Sequence, residues 1–174
     1  AAGEAFDKIG KIMDLDYPAG PIIDRLAELG NENAFTFGKP KLDNYDYSFS
    51  GIKTSVLYFL QKQLKENPNF IKENVENLCA SVQKTIIDIL MKKLEKAAKD
   101  YNVKEVAIAG GVSANSGLRK AMQDNVEKLG WNVYIPKFEY TTDNAAMIAM
   151  VAKLKFEKGE FTDLRTSATA RYEM

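Results

Sequence analysis

Two adjacent glycines, Gly110-Gly111, separate a short apolar run, Val106-Ala107-Ile108-Ala109, from the sequence Val112-Ser113-Ala114-Asn115-Ser116-Gly117-Leu118-Arg119. The chemistry this pattern suits is binding by main chain. Adjacent glycines allow positive φ and carry no Cβ, so a flat ligand can lie against bare backbone. Ser113 and Asn115 are natural N-cap residues, and a helix start behind them presents unpaired N–H groups. Strand, glycine turn and helix N-terminus together favour a nucleotide or another anion. Gly-Gly also ends many ordinary strands, so the pair alone does not select a nucleotide.

Three carboxylates carry a sharp reading beside a bland one. Asp7 lies between Phe6 and Ile9 in a helical pattern, where a solvated carboxylate is the plain expectation. Asp24 is expected in the first turn of the next helix, where negative charge is favoured. With the backbone of Gly20, these two carboxylates would also surround a hydroxyl-rich ligand such as ribose. Asp143 precedes an apolar helix that either it or Thr142 is expected to cap. The sharper reading places Asp143 at the mouth of a sheet, holding a metal beside the ligand, because open α/β sheets bind ligands at strand C-termini.

The chain contains no histidine. The commonest general base and the commonest zinc ligand are therefore missing, and chemistry here must use carboxylates, hydroxyls, backbone amides, a borrowed metal or residues from elsewhere. The single Cys79 cannot form an internal disulfide, which fits a reducing compartment. It lies in an apolar stripe and is expected to be packing.

The elements that position these residues can be read from periodicity. Phe6, Ile9, Ile12 and Met13 mark a helix already under way at the first residues, so the chain is expected to be part of a longer one. Tyr17-Pro18-Ala19-Gly20-Pro21 is a turn, with a helix expected from Ile22 to Leu29. Asn31 to Pro40 reads as loop, and Asp46 to Gly51 as a short strand or extended segment. A helix from about Ile52 to Lys65 ends at Asn67-Pro68-Asn69. A long helix comes next, roughly Ile71 to Lys99; Leu78, Val82, Ile86 and Ile89 belong to its core stripe. Lys104 to Ala109 is a strand, Leu118 to Leu129 a helix and Trp131 to Pro136 a second strand, a βαβ unit by default. The last helix is Ala145 to Phe156, and the tail from Thr162 is polar and extended.

Length and composition bound the class. The 174 residues are 45% apolar and 28% charged, enough for one soluble globular core. Lys plus Arg and Asp plus Glu are each 24, which argues against a basic footprint over the whole chain but not against a local patch. No apolar run approaches the length that spans a bilayer, and no signal peptide is evident, so no membrane partner is expected.

Five segments in order resemble one family. They are Ala1-Ala2-Gly3-Glu4-Ala5-Phe6-Asp7-Lys8, Tyr17-Pro18-Ala19-Gly20-Pro21, Phe49-Ser50-Gly51-Ile52-Lys53-Thr54, Ala109-Gly110-Gly111-Val112-Ser113-Ala114-Asn115 and Thr142-Asp143-Asn144-Ala145-Ala146-Met147-Ile148-Ala149. They resemble the C-terminal portion of the TsaD/Kae-type family, formerly called O-sialoglycoprotein endopeptidase or glycoprotease. The resemblance covers essentially the whole chain. It implies an α/β fold: a partial actin-like/Hsp70 (ASKHA) ATPase fold, helix-rich with few strands. Residues 1–100 would be the helical part of the C-terminal lobe and 101–174 its βαβ-α nucleotide-binding part, with the N-terminal lobe absent.

The implied activity is transfer of threonylcarbamoyl from threonylcarbamoyl-AMP, made with ATP, to the adenosine 3′ to the anticodon of ANN-decoding tRNA. The implied partners are TsaB and TsaE, and the location cytoplasmic. Asp7, Gly20 and Asp24 match ribose-side contacts, with Ala19 replacing the first glycine of the family's Pro-Gly-Gly-Pro. Gly110, Gly111 and Asn115 match the adenosine motif, which turns the glycine loop toward adenine and ribose more than phosphate. Asp143 matches the aspartate that completes an iron or zinc site with two histidines of an HxxxH motif. That motif, and a Ser-Gly-Gly-His phosphate loop, are absent and expected upstream of Ala1. The chain alone is therefore expected to bind little or no metal, to be inactive, and to cover an exposed sheet edge with a second copy as a homo-oligomer. Lys39, Lys41, Lys53 and Lys62 are expected to help meet tRNA phosphates. No general base is assigned. Two rivals stand beside this implication: an O-carbamoyltransferase acting on a small hydroxylated substrate, and a non-catalytic scaffold paralogue. No protease nucleophile or zinc-protease motif supports the older peptidase label.

Overall fold

The computed structural model describes residues 1–40 and 42–167. Among them the architecture is helix-rich α/β, with helices α1 (Ala2–Ile12), α2 (Ala19–Ala27), α3 (Ser50–Glu66), α4 (Phe70–Asp100), α5 (Ser116–Leu129) and α6 (Ala145–Glu157). Strands β1 (Glu105–Ala107) and β2 (Asn132–Tyr134) pair in parallel across α5. The chain forms two compact units, Ala1–Thr141 and a second from Thr142 onward.

In the first unit, apolar spacing sorts the helix faces. Ile9 of α1, Ile23 of α2, Ile52, Val56 and Leu60 of α3, and Leu78, Val82 and Ile86 of α4 are fully buried in one core. Cys79 lies in the same core, as its stripe predicts. The far end of α4 serves a second core, where Met91 and Ala98 meet Val106 of β1, Leu118 and Met122 of α5, and Trp131. The long helix thus joins a helical layer to the strand–helix–strand unit. The strands align Glu105 with Asn132, Val106 with Val133 and Ala107 with Tyr134. Alternation sends Val106 inward and leaves Glu105, Ala107, Asn132 and Tyr134 exposed.

Several expected boundaries move for identifiable reasons. Helix α2 begins at Ala19, not Ile22, because the Asp7 carboxylate accepts the Ala19 N–H at 2.9 Å. Gly20 therefore lies inside the helix, and Asp24 is in the second turn instead of the first. Asp46 to Phe49 forms no strand; Tyr47 and Phe49 stack at 6.2 Å, and the Tyr47 hydroxyl donates to the Leu90 carbonyl at 3.3 Å. Ser50 and Gly51 belong to α3. Both strands are three residues long, shorter than their apolar runs. Helix α4 kinks at Asn74, whose side chain donates to the Phe70 carbonyl at 2.9 Å.

The second unit holds α6. Its cap is neither Thr142 nor Asp143: the Asn144 side chain accepts the Met147 N–H at 3.1 Å and donates to the Thr142 carbonyl at 2.9 Å. No residue of α6 is buried. Among the described residues, no helix is long and apolar enough to cross a membrane.

Candidate adenosine site at the start of α5

The end of β1 leads into the glycine pair. Gly110 has φ +79, a conformation L side chains rarely adopt, and no atom lies within 4 Å of where its Cβ would be. Gly111 is equally open. Both are exposed. The loop then makes a 3-10 turn over Gly111–Ala114 before α5. Bare main chain faces open space there, as a flat ligand would require.

Beyond the turn lies a closed network. Asn115 is the N-cap of α5, its Oδ1 accepting the Leu118 N–H at 2.9 Å. Its Nδ2 donates to Asp24 Oδ1 at 3.0 Å and to Gln83 Oε1 at 2.7 Å. The Asp24 carboxylate also accepts the Ser116 hydroxyl at 2.7 Å and the Ser116 N–H at 3.2 and 3.0 Å. One buried amide therefore ties α2, α4 and α5 together. Arg119 braces the turn from behind, donating to the carbonyls of Ser113 at 2.7 Å and Pro136 at 2.8 Å.

This arrangement corrects the elementary picture of an open helix N-terminus waiting for an anion. Asp24 takes the first N–H of α5 and Asn115 the third, so an internal carboxylate already sits where a phosphate would. The face left open is the glycine main chain before the helix, an arrangement suited to a flat ring more than to a phosphate. Ser113 is not a cap: its hydroxyl is buried and has no hydrogen-bond partner among the described residues.

The sequence-predicted residues separate into three places. Asp24 and Asn115 meet directly, and Gly110 and Gly111 lead into them. Asp7 is half-buried and holds the start of α2, so it is no freely solvated carboxylate. Gly20 is in the next turn of chain, with no atom within 4 Å of where its Cβ would be. Asp143 is exposed and belongs to the second unit. Gln83, Ser116 and Arg119 escaped sequence reasoning. Only Ser116, beside the cap, carried a local signal; Gln83 is a polar residue on the inward face of a core helix.

Among the described residues, no three His, Cys, Asp or Glu side chains converge, and the sequence has no histidine. Asp143 is a single carboxylate where an iron or zinc site needs three or more donors. Of the expected phosphate-facing lysines, Lys39 is paired with Asp88 at 2.6 Å, whereas Lys53 and Lys62 are exposed and unpaired among the described residues. Lys41 lies outside the described residues.

Comparison with known proteins identifies the family. Residues 1–150 match the family model of TsaD, tRNA N6-adenosine threonylcarbamoyltransferase. A tRNA N6-adenosine threonylcarbamoyltransferase of Riemerella anatipestifer is 75% identical over all of this chain, which covers 51% of that protein. Proteins of the same name from Porphyromonas gingivalis and Christiangramia forsetii are 59% and 53% identical over 92% and 99% of this chain, covering 47% and 51% of theirs. The chain spans about half the length of the curated relatives it matches.

Proposed function

The chain belongs to the TsaD family, and from that premise we propose that it supplies the adenosine-binding part of a tRNA N6-adenosine threonylcarbamoyltransferase. The observation that carries the proposal is the open Gly110-Gly111 turn held at the end of β1 by the Asn115–Asp24–Ser116 network. Gly110 and Gly111 would lie against the adenine, with Asn115 holding the loop beside it. Asp7, Gly20 and Asp24 would line the ribose side.

The reaction is acyl transfer. The exocyclic amine of a tRNA adenosine attacks the carbamoyl carbon of threonylcarbamoyl-AMP, a C–N bond forms, the C–O bond to AMP breaks, and the amine loses a proton. AMP is a good leaving group, so holding the two reactants in register accounts for much of the catalysis this half can provide. The residues named above bind and orient the adenylate. No proton-transfer role falls to them. Asp143 would be one ligand of an iron or zinc ion whose other donors lie outside this chain.

The finer fold we propose is the ASKHA arrangement, with residues 1–100 and 101–174 as the helical and nucleotide-binding parts of one lobe. Among the described residues the two-stranded sheet leaves an outer edge on each strand, for further strands of the longer protein or for a second copy. TsaB and TsaE are the proposed protein partners, tRNA the substrate, and the cytoplasm the location. Lys53 and Lys62 remain the candidates for tRNA phosphates.

The test uses the protein at the full length of its relatives. It is incubated with TsaB, TsaE, tRNA, ATP and threonylcarbamoyl-AMP generated in place, and the tRNA is assayed for threonylcarbamoyladenosine. Wild type should form product, and Asp143→Ala should form little. Equal product from both would remove Asp143 from the site. No product from either, with partners confirmed active, would favour the scaffold.

A further inference from the structure

We propose that Gln83, on α4, is a positioning residue for the nucleotide site, acting through Asn115; this rests on the adenosine-binding role proposed above. Gln83 is 8% exposed, and its Oε1 accepts the Asn115 Nδ2–H at 2.7 Å. That contact adds to the Leu118 N–H and the Asp24 carboxylate in holding the Asn115 amide one way round. With Oδ1 toward the Leu118 N–H, both Nδ2 hydrogens have acceptors, Gln83 Oε1 and Asp24 Oδ1. Rotated by half a turn, the Asn115 oxygen would confront two acceptors and its amide a donor. Removing the Gln83 oxygen leaves a buried N–H without a partner, and the preferred orientation weakens.

A second observation joins Gln83 to the same place. A Cβ on Gly117, the second residue of α5, would lie 2.9 Å from Gln83 Nε2 and 2.8 Å from Ile87 Cδ1. Gly117 therefore lets α4 approach the start of α5 closely enough for the amide contact to form. Gln83 and Gly117 together set the seat of Asn115, and Asn115 sets the end of the Gly110–Ala114 turn. The hydrogen bond of Gln83 is to Asn115 and not to the glycine turn itself. Its effect is on the geometry of the turn, and so falls equally on every group of the ligand.

That equality is the test. The probes are AMP and 2′-deoxy-AMP, and the measurement is each Kd in the full-length protein, by calorimetry, for wild type and Gln83→Met. The expected result is a weakening of roughly five- to tenfold for both probes, as for one buried hydrogen bond lost, with their ratio unchanged. In the transfer assay, KM for the adenylate should rise by a similar factor while kcat stays within about twofold. Thermal unfolding supplies the fold control, because general destabilisation lowers the midpoint without changing the Kd of folded protein. Should Gln83→Met not fold, Gly117→Ala displaces Gln83 and Ile87 without removing a polar group, and should give the same parallel loss. Unchanged AMP affinity in the variant would overturn the proposal. A loss confined to AMP would overturn it too, by making Gln83 a direct ribose contact. Wild type failing to bind either probe would instead remove the adenosine-binding reading on which this rests.

Discussion

The unit Ala1–Thr141 and the segment from Thr142 onward treat apolar side chains in opposite ways. In the first, Ile9, Ile23, Ile52, Leu78 and Ile86 are fully buried while the same helices turn lysines and acids to water. In the second, Ile148, Val151, Leu154 and Phe156 are all at least half exposed on α6. Local sequence accounts for the contrast. α1 and α2 alternate apolar and polar residues at helical spacing, so each has one face to bury. Ala145 to Ala152 is an unbroken apolar run, with no polar face to present to water. A helix apolar all round belongs in an interior, and the described residues of the second unit do not provide one. Two of the three candidate carboxylates obey the same division. Asp24 is built into a network; Asp143 stands exposed just ahead of a helix without a core.

The comparison is broken most directly by one pair of truncations. Ile86→Ala should destabilise the first unit by about 3 kcal/mol, because it opens a cavity between packed helices. Ile148→Ala should change stability by less than about 0.5 kcal/mol, because the side chain is already in water. Urea unfolding of both variants is the measurement; similar losses would show that α6 is as well packed as α4.

The two asparagine caps give a smaller contrast. Asn115→Ala removes the α5 cap and strips donors from the half-buried Asp24 and buried Gln83 oxygens, a loss of about 2 kcal/mol. Asn144→Ala removes a cap and one bond to the Thr142 carbonyl, with no buried network behind them, and should cost about 0.5–1 kcal/mol of local helix stability. Unfolding midpoints test the first, and helical circular dichroism of a peptide spanning 142–158 tests the second. Equal effects would deny the Asn115 network any weight beyond capping.

The effect that vanishes at neutral pH concerns titration. Burial, with a lesser contribution from Glu76, pushes the Cys79 thiol from its ordinary value of 9.0 up to about 12. The folded state keeps a proton that the unfolded chain gives up between those values. Stability from this group is therefore complete below about pH 9 and falls as pH rises toward 12. Cys79→Ala should flatten the decline of the unfolding midpoint over that window, and native Cys79 should resist thiol reagents near pH 8. Fast labelling without unfolding would show the first core to be open.

Much of the fold was legible because its determinants are local. Val56, Leu60 and Leu64 at helical spacing mark α3, Asn67-Pro68 ends it, and Gly130 closes α5 with its N–H on the Val126 carbonyl. Boundaries failed where a distant partner intervened. Nothing within Pro18-Ala19-Gly20-Pro21 predicts that a carboxylate twelve residues earlier will start the helix at Ala19. The α6 cap was misplaced by one residue for a different reason: Thr142, Asp143 and Asn144 are all competent caps, and only the backbone geometry selects among them.

The candidate site divides along the same line. Local sequence was sufficient for the glycine turn, for Asn115 at a helix start and for the ordered motifs that mark the family, because each is a property of a few consecutive residues. It was also sufficient to exclude histidine chemistry from this chain. It could not place Asp24 against an amide 91 residues away, or bring Gln83 to the same amide from 32 residues before it. Those contacts exist only because α2, α4 and α5 converge, with Gly117 permitting the close approach of α4 to α5. No spacing rule encodes such a meeting: side chains that share one buried amide are selected by the packing of whole helices, which the burial of two cores brings about and the polar network then makes specific.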